Sequence, residues 1–571
     1  MTEDQLKQGV GTGKQDFERM RVNGDFYVDK TGFIREWWKG RDAVTLITRP
    51  SGFGKTMNLS ALNCFFSNQY ADRGDLFEGL DVWKDPAMRR QQGQWPVIFL
   101  SFAGVRGRTY AEMMEMMKSR LTELFSSYPE LYAYRGLLEK EKTALNRIRE
   151  GMSDTEAALS VQLLSSLLSK IDGKNVLIFL DEYDTPLQEA VVNGYWDQMA
   201  AFLRTMFINA LKANFSLERA VLTGITHISR DAAFSDLNRL EVVTTTSDKY
   251  AAAFGFTEEE VFEALKRQGF GEKDRREVKE WADGFTFGGI TDMYNPWSVM
   301  NFLDKGKIDE SRANASENSL VETLLQRGDP EIKSQFESLM KGGCVTVLMD
   351  EQITCSQLDT DPEAVWSLLL AMGYLKISHA MTEKEAADLD CRRMYTLSLP
   401  NQEVRRMFSG MIQNWFKPAG GLTKFTNALL DGDARGVNVT LNNLMLICMS
   451  SFDGGKNPSV QMPENFCHGL VLGLLAEDGE YTVTSNRESG WGRYDVVMAP
   501  GNLQGKAVIM EFKIYDPLDV EEGLEDTARN ALRQIEEKRY ETDLLSRGIP
   551  AENILRYGFA FRGKECLIRK G

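Results

Sequence analysis

The chain is 571 residues long, 43% apolar, and carries 67 Lys and Arg against 83 Asp and Glu, a formal net charge of −16. That length allows roughly three domains, and that charge excludes whole-chain attraction to nucleic acid, so any such contact must come from a local basic face. Seven cysteines without a Cys-x-x-Cys pair speak against a zinc site or a disulfide framework.

No apolar run reaches the ~18 residues of a membrane span. The N-terminus, Met-Thr-Glu-Asp, shows no signal-peptide pattern. The expectation is a soluble protein of the reducing cytoplasm, with no membrane partner.

Residues 1–30 read as an ordered lead-in. Within it Gly11-Thr-Gly-Lys14 looks like a fragment of a phosphate loop, but no strand precedes it and it is read as a decoy. An amphipathic stretch then runs to Trp38. Next comes an apolar, β-rich run, Val44–Thr48, followed by Arg49-Pro-Ser-Gly-Phe-Gly-Lys-Thr56 and a helix-like pattern from Met57 to Phe66.

Strand, glycine turn, Lys-Thr, helix is the order a phosphate-binding loop needs. Gly52 and Gly54 let backbone N–H groups turn onto phosphate oxygens, with Phe53 between them. Lys55 can reach the β- and γ-phosphates, and the Thr56 hydroxyl can ligate Mg²⁺. Arg49 stands where the motif ordinarily opens with glycine, which makes it an accessory candidate.

Three further strand candidates follow among helical segments: Pro96–Phe102, Val176–Leu180 and Ala220–Thr226. That alternation predicts a mostly parallel sheet covered by helices, an α/β fold with ligands at the carboxyl ends of the strands. The third candidate ends Leu180-Asp-Glu-Tyr-Asp184, 125 residues beyond Thr56. Asp181 is placed to hold the Mg²⁺ water shell and Glu182 to polarise an attacking water, the division of labour that phosphoryl transfer needs. Many buried strands end in solvated acids; a preceding phosphate loop is what gives this pair meaning. Thr223 or Thr226 could sense a γ-phosphate and Arg230 supply charge, although a strand threonine is usually only a good β-former.

These segments together resemble the AAA-ATPase-like family of mostly bacterial proteins that carry a C-terminal PD-(D/E)XK nuclease-like domain. The resemblance rests on Phe26-Tyr-Val-Asp-Lys-Thr31, the loop at 49–56, Leu180-Asp-Glu-Tyr-Asp184 and Thr223-Gly224. Phe234-Ser-Asp-Leu-Asn238, Trp281-Ala-Asp-Gly-Phe285 and Tyr294-Asn-Pro-Trp-Ser298 extend it in the same order. An Arg-Pro opening of the loop is usual in that family, which accounts for Arg49. What the resemblance implies is ATP binding, with Mg²⁺, in a P-loop NTPase domain.

Residues 301–458 show no catalytic constellation. Ala364–Leu375 reads as a buried helix followed by a strand at Tyr374–Ser378, and the segment is expected to be a mainly helical, winged-helix-like middle or lid domain.

From about residue 459 the pattern changes again. Tyr481–Ser485 alternates as a strand, Asp495 precedes Val-Val-Met498, and Lys506–Lys513 carries Glu511 and Lys513 two residues apart. That spacing puts both on one face of a strand. Asp495 and Glu511 offer hard oxygen ligands to Mg²⁺, and Lys513 can orient water or offset charge, the chemistry of phosphodiester cleavage. Asp followed by Glu-x-Lys also arises by chance as a salt-bridged strand. The order helix, strand, hairpin with Asp, strand with Glu-x-Lys, helix is similar to the PD-(D/E)XK core, and implies a restriction-endonuclease-like α/β domain. By that resemblance Glu464 is the first-helix acid and Gln534 the polar residue on the following helix. Residues 464–571 hold 19 acidic and 14 basic side chains, so DNA binding would need clustering, for which Arg529, Arg533, Lys538 and Arg539 are candidates.

The domains expected are therefore 1–300, 301–458 and 459–571. The leading reading is an ATPase coupled to a Mg²⁺-dependent nuclease acting on DNA or another nucleic acid. The rival is a nucleotide-switched binding protein whose nuclease-like domain no longer cuts. Oligomeric state is left open, a homo-oligomer included.

Overall fold

The computed structural model describes residues 9–225, 240–308, 321, 325, 330–340, 342–348, 364–381, 394–416, 421–450, 471–472, 475, 481–485, 488–501, 505–515, 523–562 and 565–571. The chain divides into two compact units. The first comprises residues 1–311, 317–321 and 346–404, and the second residues 312–316, 322–345 and 405–571. Residues read from the sequence as a middle segment are thus shared between the two.

The first unit is built on five parallel strands: β1 (Val44–Thr48), β2 (Val97–Ser101), β3 (Val176–Asp181), β4 (Leu217–Gly224) and β5 (Leu240–Val243). Their order is β2-β3-β4-β1-β5. Burial on both faces explains the near-continuous apolar runs. Leu46, Ile98, Ile178, Leu180 and Leu222 face one core layer, while Ile47, Val97, Leu177, Phe179 and Val221 face the other. The four strands expected from the sequence are present within a few residues. The fifth, Leu240–Val243, was not expected: it is a four-residue edge strand containing Glu241, and it has little period-2 signal to read.

Between β1 and its helix, Gly52 and Gly54 adopt φ of 83° and 79°, conformations that cost glycine little. The helix α1 (Lys55–Phe66) starts directly at the lysine, with Gly54 as its cap. A later helix, α2 (Pro296–Lys305), begins with Asn295 Oδ1 accepting from the Trp297 amide, and Pro296 sits in its first turn. The apolar segment read at 364–375 forms a helix, Ala364–Ala371, buried from Ala364 to Leu370, followed by a strand, Lys376–Ala380, paired antiparallel with Met394–Ser398.

In the second unit, helices α3 (Gly421–Asp431) and α4 (Ala434–Ser450) precede strands β6 (Tyr481–Ser485), β7 (Val496–Pro500) and β8 (Ala507–Ile514). Helix α5 (Leu524–Lys538) and strands β9 (Ile554–Arg562) and β10 (Glu565–Lys570) follow. Strand order is sequential: β6, β7 and β8 are antiparallel, β9 runs parallel to β8 after the α5 crossover, and β10 turns back. Val508, Met510 and Phe512 face a core shared with α3 and α4. Ala507 and Ile509 face the opposite way, toward Ile535 and Tyr540.

The edge strand β10 is covered by two asparagines one helical turn apart. Asn438 bonds both the N–H and C=O of Ile568 (2.9 and 2.7 Å), and Asn442 does the same for Cys566 (3.0 and 2.8 Å). Those side-chain amides occupy the edge that another strand would otherwise pair with. Among the described residues no helix is long and apolar enough to cross a membrane.

Candidate phosphate-binding and metal-binding sites

The carboxyl ends of the parallel strands converge on Asp181. Its Oδ2 accepts hydrogen bonds from Thr56 Oγ1 (2.9 Å) and Ser101 Oγ (3.3 Å), and its Oδ1 from Thr223 Oγ1 (2.8 Å). The parallel register explains the meeting: Ser101 pairs with Asp181, and Thr223 lies one residue beyond the β4 partner of Leu180. Asp181, Thr223 and Lys55 are all buried. Lys55 Nζ donates to the carbonyls of Arg49 and Pro50 (2.8 and 2.9 Å), so its ammonium is folded back over the loop. Loop amides, a lysine and a hydroxyl–carboxylate pair of hard oxygens form a donor set suited to phosphate and Mg²⁺.

Glu182 follows at φ 50°, a left-handed conformation uncommon for a side-chain-bearing residue. Burial, then the adjoining Asp181 carboxylate, push its pKa above the ordinary glutamate value, while Thr185 Oγ1 donates to its Oε2 at 3.3 Å. A carboxylate with a raised proton affinity beside a phosphate cradle is suited to taking a proton. Asp184 instead is structural: its Oδ2 accepts from Ile225 N (3.0 Å) and Gln188 Nε2 (2.8 Å). Its Oδ1 would lie 2.6 Å from any Cβ at Gly224, so the Thr223-Gly224 pair needs its glycine.

Two loop side chains also pack against the rest of the unit. Arg49 is buried and is not among the residues that line the cavity above the loop. Its guanidinium donates to the Thr48 and Thr244 carbonyls and lies over the Phe287 and Phe254 rings at 4.8 and 5.8 Å. Burial lowers its pKa to about 9. Arg49 therefore braces the loop from behind. The Phe53 ring is also buried, edge-on to Phe285 (4.8 Å) and Phe287 (5.1 Å).

The motifs around residues 283–298 support this loop. Asn295 Nδ2 and Trp297 N each lie 3.4 Å from a loop carbonyl, those of Ser51 and Gly52. Asp283, Glu258 and Asp292 draw together around the Lys279 ammonium, which pairs with all three.

The cavity above the loop measures about 240 Å³. It is lined by 51–58 and Glu182 and also by Gly11–Gln15, the segment read as a decoy. That reading was right that Gly11–Lys14 is no phosphate loop and wrong that it is irrelevant. Ser101 was likewise missed; its only signal was a hydroxyl at the end of a predicted strand. Thr226 and Arg230 lie outside the described residues.

In the second unit, Asp495 stands one residue beyond the registered pair Val496–Met510, which sets it across from Glu511. Its Oδ2 accepts from the Phe512 amide at 2.8 Å. Glu511 is buried, and Gln534 Nε2 from α5 donates to its Oε1 and also reaches Tyr540 Oη at 3.2 Å. Burial, with Glu511 and Asp495 nearby, raises the Tyr540 hydroxyl's pKa. Lys513 lies two residues along β8, on the side of the strand that carries Glu511.

Asp495 and Glu511 are thus brought together by strand register, with Gln534, which the resemblance implied, beside Glu511, and their oxygen donors fit a hard divalent cation. Tyr540 was missed as a member. Glu464 lies outside the described residues. Of the basic candidates on α5, Arg529 is already paired with Glu525 and Asp526 (3.5 and 3.3 Å).

Two family models match parts of the chain. Residues 11–234 match the family model described as predicted AAA-ATPase, and residues 462–571 match that of the PD-(D/E)XK nuclease superfamily. No curated protein matches the chain. This chain therefore joins an AAA-ATPase-like domain to a C-terminal domain of the PD-(D/E)XK nuclease superfamily.

Proposed function

We propose that the protein binds ATP with Mg²⁺ on the 49–56 loop and hydrolyses it, and that its C-terminal domain is a Mg²⁺-dependent nuclease acting on DNA in the cytoplasm. The observation that carries the first part is the Asp181 carboxylate, shared by Thr56, Ser101 and Thr223 at one end of the sheet. Mg²⁺ held between Thr56 and Asp181 would neutralise phosphate charge. Lys55 exchanges its loop carbonyls for phosphate oxygens, Thr223 reports on the Asp181 side of the site, and Glu182 accepts the proton of the attacking water.

The second part rests on Asp495 and Glu511 meeting across β7 and β8, with Gln534 orienting the Glu511 carboxylate. These oxygens would hold the divalent ion that polarises a phosphodiester. Lys513, on the same strand face, orients the attacking water.

The test uses wild type, Lys55→Ala, Glu511→Ala and Lys513→Ala, incubated with plasmid, linear and single-stranded DNA, with and without ATP and Mg²⁺. Lys55→Ala loses ATP hydrolysis, and the other two lose cleavage while retaining hydrolysis. Wild-type protein that cuts no nucleic acid with Mg²⁺ or Mn²⁺ overturns the nuclease assignment.

A further inference from the structure

The phosphate loop accounts for only one wall of its cavity. The facing wall comes from the turn segment at residues 11–15 and from the first turns of α2. The segment is folded, not draped: Thr12 N bonds Val10 O (3.1 Å), Lys14 N bonds Gly11 O (3.2 Å), and Phe26 N bonds Gly9 O (2.9 Å). Lys14 is committed to an ion pair with Asp25, so it adds no free cation for phosphate. Lys30 also lines the cavity and is paired with Glu260 (2.6 Å); besides it and Gln15, this side offers apolar surface from Phe26, Phe256, Trp297 and Met300.

Thr12 supplies a second, independent observation. Its Oγ1 is buried and has no hydrogen-bond partner, although Thr12 lines the same cavity. A buried hydroxyl left unmatched is costly and points to a missing polar partner. Trp297 is fixed relative to the loop, because its amide reaches Asn295 Oδ1 (3.0 Å) and Gly52 O (3.4 Å). An anion cradle joined to an apolar, aromatic chamber containing one unmatched hydroxyl matches a ligand that is oxyanionic at one end and a flat heterocycle with hydroxyls at the other.

We propose that residues 11–15 together with Trp297 and Met300 form a nucleoside chamber, so that this site selects a nucleoside triphosphate over bare polyphosphate. The inference rests on the phosphate-loop reading above and adds to it the part of the ligand that the loop cannot recognise. Trp297 and Met300 cover the base, and Thr12 Oγ1 meets a ribose hydroxyl or a ring nitrogen.

The test is calorimetric titration of the full chain with Mg²⁺–ATP and with Mg²⁺–tripolyphosphate. Wild type binds ATP more tightly than tripolyphosphate. Trp297→Ala and Met300→Ala each weaken ATP by about 10-fold, within the range for loss of one base-stacking contact, and leave tripolyphosphate unchanged. Thr12→Val, close in shape, weakens ATP alone by a smaller factor. Lys55→Ala weakens both ligands. Equal wild-type affinity for the two ligands, with all three chamber variants unaltered, overturns the chamber and leaves the loop assignment standing. Wild type that binds neither ligand overturns both. Because Thr12→Val exchanges one hydroxyl for a methyl of similar size, it keeps the test decisive should Trp297→Ala fail to fold.

Discussion

The two sites handle phosphate oxygens in differently built frames. In the first unit, three strands of a parallel sheet and the helix that follows a fourth deliver Ser101, Asp181, Thr223 and Thr56 to one point from four separate stretches of sequence. In the second, the acids come from adjacent antiparallel strands, and one register fixes them; a helix then adds Gln534. The first design pre-organises a carboxylate by hydrogen bonds from three hydroxyls. The second uses a backbone amide for Asp495 and a side-chain amide for Glu511. The first should therefore tolerate loss of the Ser101 hydroxyl, the longest of the three contacts, whereas the second depends on strand register and is harmed by anything that loosens the sheet.

The largest effects should separate the two frames cleanly. Lys55→Ala lowers ATP turnover on the order of 10²–10³-fold, the cost of removing one pre-organised charge donor, and leaves DNA cleavage measured without ATP unaltered. Glu511→Gln abolishes cleavage to a similar degree and leaves ATP turnover within error. Steady-state phosphate release and gel-resolved cleavage on the same preparations check both.

Glu182→Gln sharpens the first site further. ATP affinity is retained while turnover falls on the order of 10²-fold or more, as for loss of a general base. The pH profile carries the sign: burial raises the pKa of Glu182 in the folded protein, so turnover declines as pH falls through a value above the ordinary glutamate range. In Glu182→Gln that acid limb disappears.

Smaller effects concern the frames themselves. Arg49→Gly restores the usual opening of the motif, yet it should destabilise the first unit by about 2–5 kcal/mol through lost packing and hydrogen bonds. Denaturant unfolding measures this. Asn438→Ala or Asn442→Ala each leaves two backbone groups of β10 unmatched and should cost the second unit about 1–3 kcal/mol.

How much of this was legible in the sequence follows from locality. The 49–56 loop and the Asp181-Glu182 strand end are contiguous motifs whose geometry is fixed by their own backbone, and they were readable. Glu511 and Lys513 were readable because period 2 fixes their side of the strand, and Asp495 because it precedes the neighbouring strand. Gly11–Gln15 was misjudged because its relevance arises only when the chain returns it to the cavity through Phe26 and Asp25. Arg49 was given only as an accessory candidate because a sequence cannot show which side of a loop a guanidinium takes; the Phe254 and Phe287 rings decide it. Tyr540 terminates a predicted helix and carried no signal beyond that.

The most direct test is a side-by-side assay of ATP hydrolysis and DNA cleavage by wild type, Glu182→Gln and Glu511→Gln in Mg²⁺. Two independent oxyanion-handling centres require each variant to lose one reaction and keep the other's chemistry. A wild-type protein that neither binds nor hydrolyses ATP, or a Glu511→Gln protein that cuts as fast as wild type, contradicts it.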